Sequence, residues 1–386
     1  MSRQSRYVGD GSPRAAHAWL SRACEPGDHA VWAYVESLGA VEVAAQLAGH
    51  DAPERLQRAA GPRACQDLAL RDLAAAERIG ARLLMPGDDE WPEDLLRTMG
   101  AAAAAGEMQC VPPLALWVRG EARLTDLVER AVAIVGARAS TPYGDTVTEQ
   151  IAYGLAECDV TVVSGGAFGI DRAAHAAALA ADGATIAVLA CGIDRPYPRA
   201  NARLLDRITT RGLLVSEWAP GSAPMRHRFL VRNRLIAGLT AGTVVVEAAL
   251  RSGARSTSAR AREMGKVVMT VPGPVTSAMS DGCLQMLRDE AALAVGSAAH
   301  VLEATGVSGS QLTLFERGPQ KPTDLLDPGL SRLLDAVPAR RAAPADSIAV
   351  VAAASASDTM RGLTVLEMMG LVEQADGRWR VRREPG

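Results

Sequence analysis

Lysine is almost missing from this chain of 386 residues: only Lys266 and Lys321 occur, so arginine carries nearly all the positive charge. In so alanine-rich a sequence that bias is compositional, and arginine by itself does not signal a need for its planar fork. Aromatic residues are scarce as well, at 4% with three phenylalanines, so a ring inside a functional stretch carries weight. The six cysteines (Cys24, Cys65, Cys110, Cys158, Cys191, Cys283) form no CxxC pair, and no His/Cys cluster has zinc spacing. They are expected to be reduced, mostly buried thiols, with no metal centre. No apolar run is long enough to cross a bilayer, and residues 1–12 lack the apolar core of an export signal. No membrane partner and a cytoplasmic location are therefore expected.

What is present is an uneven charge. The chain carries −3 overall, but from Arg195 to Arg262 thirteen arginines face only Asp206, Glu217 and Glu247, an excess of ten that leaves −13 elsewhere. The window stops just short of Asp194 and Glu263, which flatters it slightly. A basic block on an acidic chain points to an anionic partner at one place rather than to general adhesion. Its densest part is Arg226-His227-Arg228-Phe229-Leu230-Val231-Arg232-Asn233-Arg234, with four arginines, a histidine, one phenyl ring and no acid.

Three regions and a linker follow from the pattern along the chain. Residues 1–110 are predicted to be a small helical domain, of the SAM or helix-hairpin-helix kind, with helical spacing running from about Arg14 to Met99. Residues 111–305 alternate short apolar runs, Ala131–Val135, Val160–Ser164, Thr185–Ala190, Leu213–Ser216, Thr243–Glu247 and Val267–Val271, with helical segments. Strands that read as continuous apolar runs are buried on both faces, and with helices between them they predict an α/β fold, a doubly wound parallel, Rossmann-like sheet. Residues 306–327 are a polar linker. Residues 328–386 predict three helices and a hairpin turning at Asp376-Gly377, a winged-helix pattern. Its candidate recognition helix, Thr359–Met369, offers only Arg361 against Glu367, which favours protein contact over groove reading.

In a sheet of this kind ligands bind beyond the carboxyl ends of the strands. There the sequence places Gly136-Ala137-Arg138 after the first strand and Ser164-Gly165-Gly166-Ala167-Phe168-Gly169 after the second. Glycines let backbone N–H groups approach an anion, and a following helix adds its dipole. Neither turn is a dinucleotide fingerprint and no GxxxxGK[ST] loop exists, so no nucleotide cofactor is expected.

These blocks, together with Asp171-Arg172-Ala173-Ala174-His175, Cys191-Gly192-Ile193-Asp194, Tyr197-Pro198, Asn201, Phe229–Leu239, Ser252-Gly253 and Pro272-Gly273, occur in an order that resembles the DNA-processing protein A family (DprA, also called Smf). The resemblance covers roughly residues 110–300. It implies a non-enzymatic, cytosolic, dimeric protein that binds single-stranded DNA and loads a RecA-type recombinase onto it, in uptake and recombination of incoming DNA. Position by position it implies that Arg138 grips phosphate, that Arg226 contacts DNA, that Phe229 packs on bases, and that Arg232, Asn233 and Arg234 build the pocket wall. The expected DNA-binding set is Gly136, Arg138, Ser164, Gly165, Gly169, Arg226, Phe229, Arg232, Asn233 and Arg234, with Arg138, Arg226, Arg232 and Arg234 holding phosphates and Phe229 taking a base. The chain departs from the family pattern at Gly166, Phe168, Leu284 and Glu290, and at Ala254 and Ser258, where a serine and an alanine look exchanged.

The residues leave other readings open. Arg232 and Arg234 are also readable as internal braces against Glu247 or Asp171, and Phe229 as a core residue. Asp171 and His175, four apart on one helix face, read as a helix cap and a structural hydrogen bond, or as an acid–base pair. An enzymatic alternative is a nucleotide N-glycosidase of the lysine-decarboxylase-like type with Glu247 as its acid, although the PGG lead of that motif is absent from Ala241–Glu247. A third reading is a recombinase adaptor whose DNA contact is incidental.

Overall fold

The computed structural model describes residues 8–61, 63, 66–306 and 326–382. Cys65 and nearly all of the expected linker 306–327 lie outside them. The chain divides into two compact units, Met1–Leu312 and Thr313–Gly386.

The first unit opens with five helices, α1 (Pro13–Ala23), α2 (His29–Leu38), α3 (Ala40–Ala48), α4 (Glu54–Ala60) and α5 (Ala69–Glu77). The expectation of helix through Met99 fails at β1 (Ala81–Leu84), which precedes α6 (Glu93–Ala104). β1 pairs antiparallel with β2 (Leu116–Arg119), so residues assigned to a separate helical domain supply an edge strand of the main sheet. A strand of four residues is too short to register a period of two against a helical background.

After α7 (Leu124–Glu129) the expected alternation follows: β3 (Ala131–Val135), α8 (Pro142–Glu157), β4 (Thr161–Ser164), α9 (Ile170–Ala180), β5 (Thr185–Leu189), α10 (Ala202–Arg211), β6 (Leu213–Ser216), α11 (Arg226–Gly238), β7 (Gly242–Val245), α12 (Ala254–Glu263) and β8 (Val267–Thr270). Then come α13 (Asp281–Asp289), β9 (Leu293–Ala294) and α14 (Ala298–Thr305). The strands form one nine-stranded sheet in the order β1-β2-β6-β5-β4-β3-β7-β8-β9. From β6 to β9 every pairing is parallel, and β2 joins β6 antiparallel. Every residue of β3, β4, β5 and β6 is buried, as their valine-rich runs require. The chain works outward from β3 on one side, through β4, β5 and β6, and returns to its other side with β7. The order reverses at β3, so a crevice opens beyond its carboxyl end.

The second unit consists of α15 (Pro328–Ala336), β10 (Ala343–Pro344), α16 (Ala345–Ala352), α17 (Ala356–Met368), β11 (Val372–Ala375) and β12 (Arg378–Val381). Its core gathers Leu333, Ile348, Leu363, Leu366 and Trp379. The three strands pair antiparallel around β12, and Asp376 and Gly377 both take positive φ, 51° and 74°, as a two-residue turn between twisted strands demands.

Candidate nucleic-acid interface

The turns after β3 and β4 are packed into each other. A Cβ on Gly136 would stand 2.5 Å from Ile170 Cγ1, and one on Gly169, at φ +71°, would stand 2.2 Å from the Ala137 carbonyl. Only glycine fits at either place. Thr141 caps α8 by accepting from the Gly144 N–H, while its own hydroxyl and N–H donate to Glu247 at 2.6 and 2.9 Å. With both ends of the first turn fixed, Arg138 is left exposed.

The second turn does not present its amides as expected. The Asp171 carboxylate accepts from the Gly165 N–H at 3.1 Å and the Ala167 N–H at 3.4 Å, so two donors of the supposed anion cradle are already occupied. Asp171 sits in the first turn of α9, but the residue before the helix is Gly169, so the carboxylate braces the loop instead of capping the helix. Its buried setting pushes its pKa up, against the pull of Arg232. Arg232 donates to the carbonyls of Gly165, at 2.8 Å, and Val188. Burial lowers Arg232 to about 10, with Asp171 acting in the opposite sense. Ser164 is fully buried and its hydroxyl donates to the Ile134 carbonyl at 2.6 Å. Ser164 and Gly165 are therefore buried behind the turn, Gly169 is half-buried at its end, and Arg232, though buried, still lines the cleft. His175 shares a 2.7 Å hydrogen bond with Thr185, and burial holds its pKa down to about 3, so the ring is neutral and structural.

Helix α11 sorts its side chains by face. Arg228 donates to Glu25 Oε1 at 2.6 Å and lies over the Trp218 ring. Arg234 is paired with Glu217 at 2.7 Å, both side chains nearly inaccessible. The brace foreseen for Arg234 is real, but its partner is Glu217, not Glu247 or Asp171. Burial raises the Glu217 pKa and Arg234 opposes it. The opposite face carries Arg226, Phe229, Leu230 and Asn233, spaced i, i+3, i+4 and i+7. Arg226 is exposed and, among the described residues, has no ion-pair partner. Asn233 donates to the Gly253 carbonyl at 3.3 Å, tying the helix to the turn after β7.

An open cleft results, lined by Gly136, Arg138, Ala167, Phe229, Leu230, Asn233 and Gly253, with the buried Asp171 and Arg232 forming part of its floor. Phe229 is half-buried, the Arg138 guanidinium carbon lies 4.9 Å from its ring centre, and Tyr197 leans on it at 5.6 Å and 53°. Phe168, on the neighbouring turn, is exposed. Cations crowd the N-terminal turn of α11, the positive end of its dipole, and no acid lies in that turn. That arrangement is unfavourable until an anion joins it. Glu25 supplies one from between the first two helices; among the described residues Arg138 and Arg226 have no ion-pair partner. Glu247, the acid of the enzymatic alternative, is buried with both oxygens bound to Thr141 and does not line this cleft.

A family profile described as DNA recombination-mediator protein A matches residues 82–306. A putative DNA processing protein DprA of Mycobacterium tuberculosis (strain ATCC 25618 / H37Rv) is 45% identical over 368 residues, spanning 95% of this chain and 94% of that one. The chain belongs to the DNA recombination-mediator protein A family. DNA processing protein DprA of Streptococcus pneumoniae is 41% identical over 206 residues, 53% of this chain and 68% of that one. The X-ray structure of DNA processing protein A from Streptococcus pneumoniae matches with a TM-score of 0.59 at 33% identity, covering 74% of this chain and 95% of that chain.

The region matched to the DNA recombination-mediator protein A family begins at Arg82, within β1, so the edge strands missed in the sequence belong to it. Two cleft features also escaped: the ring of Tyr197 against Phe229, and the loop brace of Asp171. Tyr197-Pro198 was visible as a motif, but nothing in its spacing shows that it meets a residue 32 positions later. Among the departures from the family pattern, Glu290 accepts from Arg255 and Arg262 at 2.6 and 2.7 Å, and Phe168 faces solvent. No helix among the described residues is long and apolar enough to cross a membrane, and none of their acidic, His and Cys groups clusters as a metal site.

Proposed function

We propose that this chain binds single-stranded DNA in the cleft beyond β3, with Arg138 and Arg226 holding phosphates and Phe229 taking a base. The observation that carries the proposal is the exposed Arg138 guanidinium set 4.9 Å from the ring of Phe229 in an open cleft. A sequence-tolerant groove for unpaired strands needs these two elements, a cation for the backbone and a ring for the base. The family's description as a recombination mediator supports DNA as the ligand. Handing the strand to a RecA-type recombinase, acting as a homodimer, and working in the cytoplasm complete the reading, with the second unit serving as a winged-helix contact module. Binding without catalysis fits the committed state of Glu247, Asp171 and His175, each of which is spent on the scaffold.

The test is a titration of single- and double-stranded oligonucleotides at several salt concentrations, with the wild type, Arg138→Ala and Phe229→Ala. The wild type is expected to prefer the single strand, and both variants to weaken it. Equal affinity of all three proteins for the single strand would remove the cleft from the account.

A further inference from the structure

Beyond the cleft, α10 and the turn before it carry a ridge of unpaired arginines. Arg199, Arg203 and Arg207 recur every four residues, and all three are exposed. Arg203 and Arg207, four apart in α10, stack on one side about 6 Å apart along the axis, with Arg199 in the 3₁₀ turn just before the helix, while Leu205 and Ile208 anchor the opposite side in the core. The nearby carboxylates are engaged elsewhere: Asp206 with Arg119 at 3.3 Å, Asp182 with Arg211 at 3.2 Å, and Asp194 with the Gly221 N–H at 2.7 Å. Among the described residues none of the three guanidiniums has an ion-pair partner.

The ridge is joined to the cleft rigidly. The Asn201 amide, itself buried, donates to the Gly166 and Ala167 carbonyls at 3.0 and 3.1 Å, which pins the start of α10 to the turn bearing Phe168. Two residues before Arg199, the exposed ring of Tyr197 rests on Phe229. Tyr197 thus touches the cleft and, two residues along the chain, leads into the turn that carries Arg199.

We propose that Arg199, Arg203 and Arg207 form a second stretch of the single-strand track, holding phosphates of nucleotides that leave the Phe229 cleft across Tyr197. The inference rests on the single-stranded DNA reading above and extends it from one pocket to a path. Guanidiniums recurring along a helix and the turn pinned before it suit a stretched backbone, whose charges repeat at a comparable spacing, and they ask nothing of the base sequence.

The experiment compares a short oligonucleotide of about 6 nucleotides with one of about 20, a range that brackets single-strand site sizes. The full chain is used as wild type, as Arg138→Ala, as the triple variant Arg199→Ala/Arg203→Ala/Arg207→Ala, and as the triple variant with Lys at the same positions. Circular dichroism confirms the fold of each. The Ala triple is expected to bind the short strand as the wild type does. It is expected to lose about tenfold on the long strand, with the salt slope flatter by about 2, since each phosphate contact contributes about 0.7 on single strands. The Lys triple is expected to keep the wild-type slope. An Ala triple that matches the wild type on the long strand, or loses affinity only for duplex DNA, overturns the ridge while leaving the cleft standing. A wild type that binds neither strand, or an Arg138→Ala protein that binds the short one normally, overturns the cleft reading and the ridge with it.

Discussion

Arg226 and Arg234 lie on the same helix, eight residues apart, and meet opposite surroundings. Arg226 stands in solvent beside an open cleft, whereas Arg234 is sealed against Glu217. Arg228 and Arg232 side with Arg234, one held by Glu25 and the other by two backbone carbonyls. A dense run of arginine in a sequence thus mixes two populations, one that builds the scaffold and one that is left to act. Which is which depends on acceptors supplied by remote segments, and the helical period only separates the faces.

The comparison is broken most forcefully at Arg234. Arg234→Ala leaves Glu217 buried and unpaired and is expected to cost about 3–5 kcal/mol of stability, read by denaturant unfolding. The double change Arg234→Met with Glu217→Leu is expected to recover most of that, since an apolar pair of similar volume has no charge to desolvate. Arg226→Ala, by contrast, is expected to leave stability within about 0.5 kcal/mol.

Next comes acid stability. Burial acts to raise the Glu25 carboxyl, but hydrogen bonds from Arg228, Arg63 and Trp218 override it and hold it at about 2, below its ordinary 4.5. A depressed carboxyl contributes stability that is complete above pH 4.5 and is lost as pH falls toward about 2. Glu25→Gln is expected to lower stability at neutral pH and to flatten its fall over that window, measured by urea melts at stepped pH. An unchanged profile would mean that the Glu25 cluster does not hold α11.

Gly165→Ala tests the scaffold from the other side. The new Cβ would stand 2.4 Å from Arg232 Nη2, and overpacking of that kind is expected to cost about 1–3 kcal/mol in a thermal or chemical melt. At the acting face the expected losses are in binding instead. Phe229→Ala should weaken single-strand affinity by about 1–3 kcal/mol, the worth of one stacked base. The smallest effect is the salt slope, which Arg138→Ala or Arg226→Ala should each flatten by about 0.7. If Arg232→Gln, in a protein that keeps its fold, flattened the slope as much as these do, the division of arginines into two populations would be wrong.

Much of the framework was legible in the residues. The strands from β3 to β8 fall within two residues of their expected ends, because runs such as Ala131-Val132-Ala133-Ile134-Val135 suit a strand covered on both faces. β1 and β2 were not legible: each is four residues long, and β1 is set among alanine-rich helices. In the site, Phe229 and Arg138 stood out through the scarcity of rings and the glycine turn. Whether Arg232 and Arg234 are wall or brace stayed open, because their acceptors, Val188 and Glu217, are distant in sequence and carry no periodic signature. The two glycine turns looked alike, and only the fold reveals that one holds a carboxylate of its own.

That resident carboxylate has a kinetic meaning. Because Asp171 satisfies the Gly165 and Ala167 amides, the loop keeps its shape with no guest aboard. Capture then spends little conformational freedom on ordering the receptor. Encounter rates should follow diffusion and ionic attraction, with no slow rearrangement to wait for.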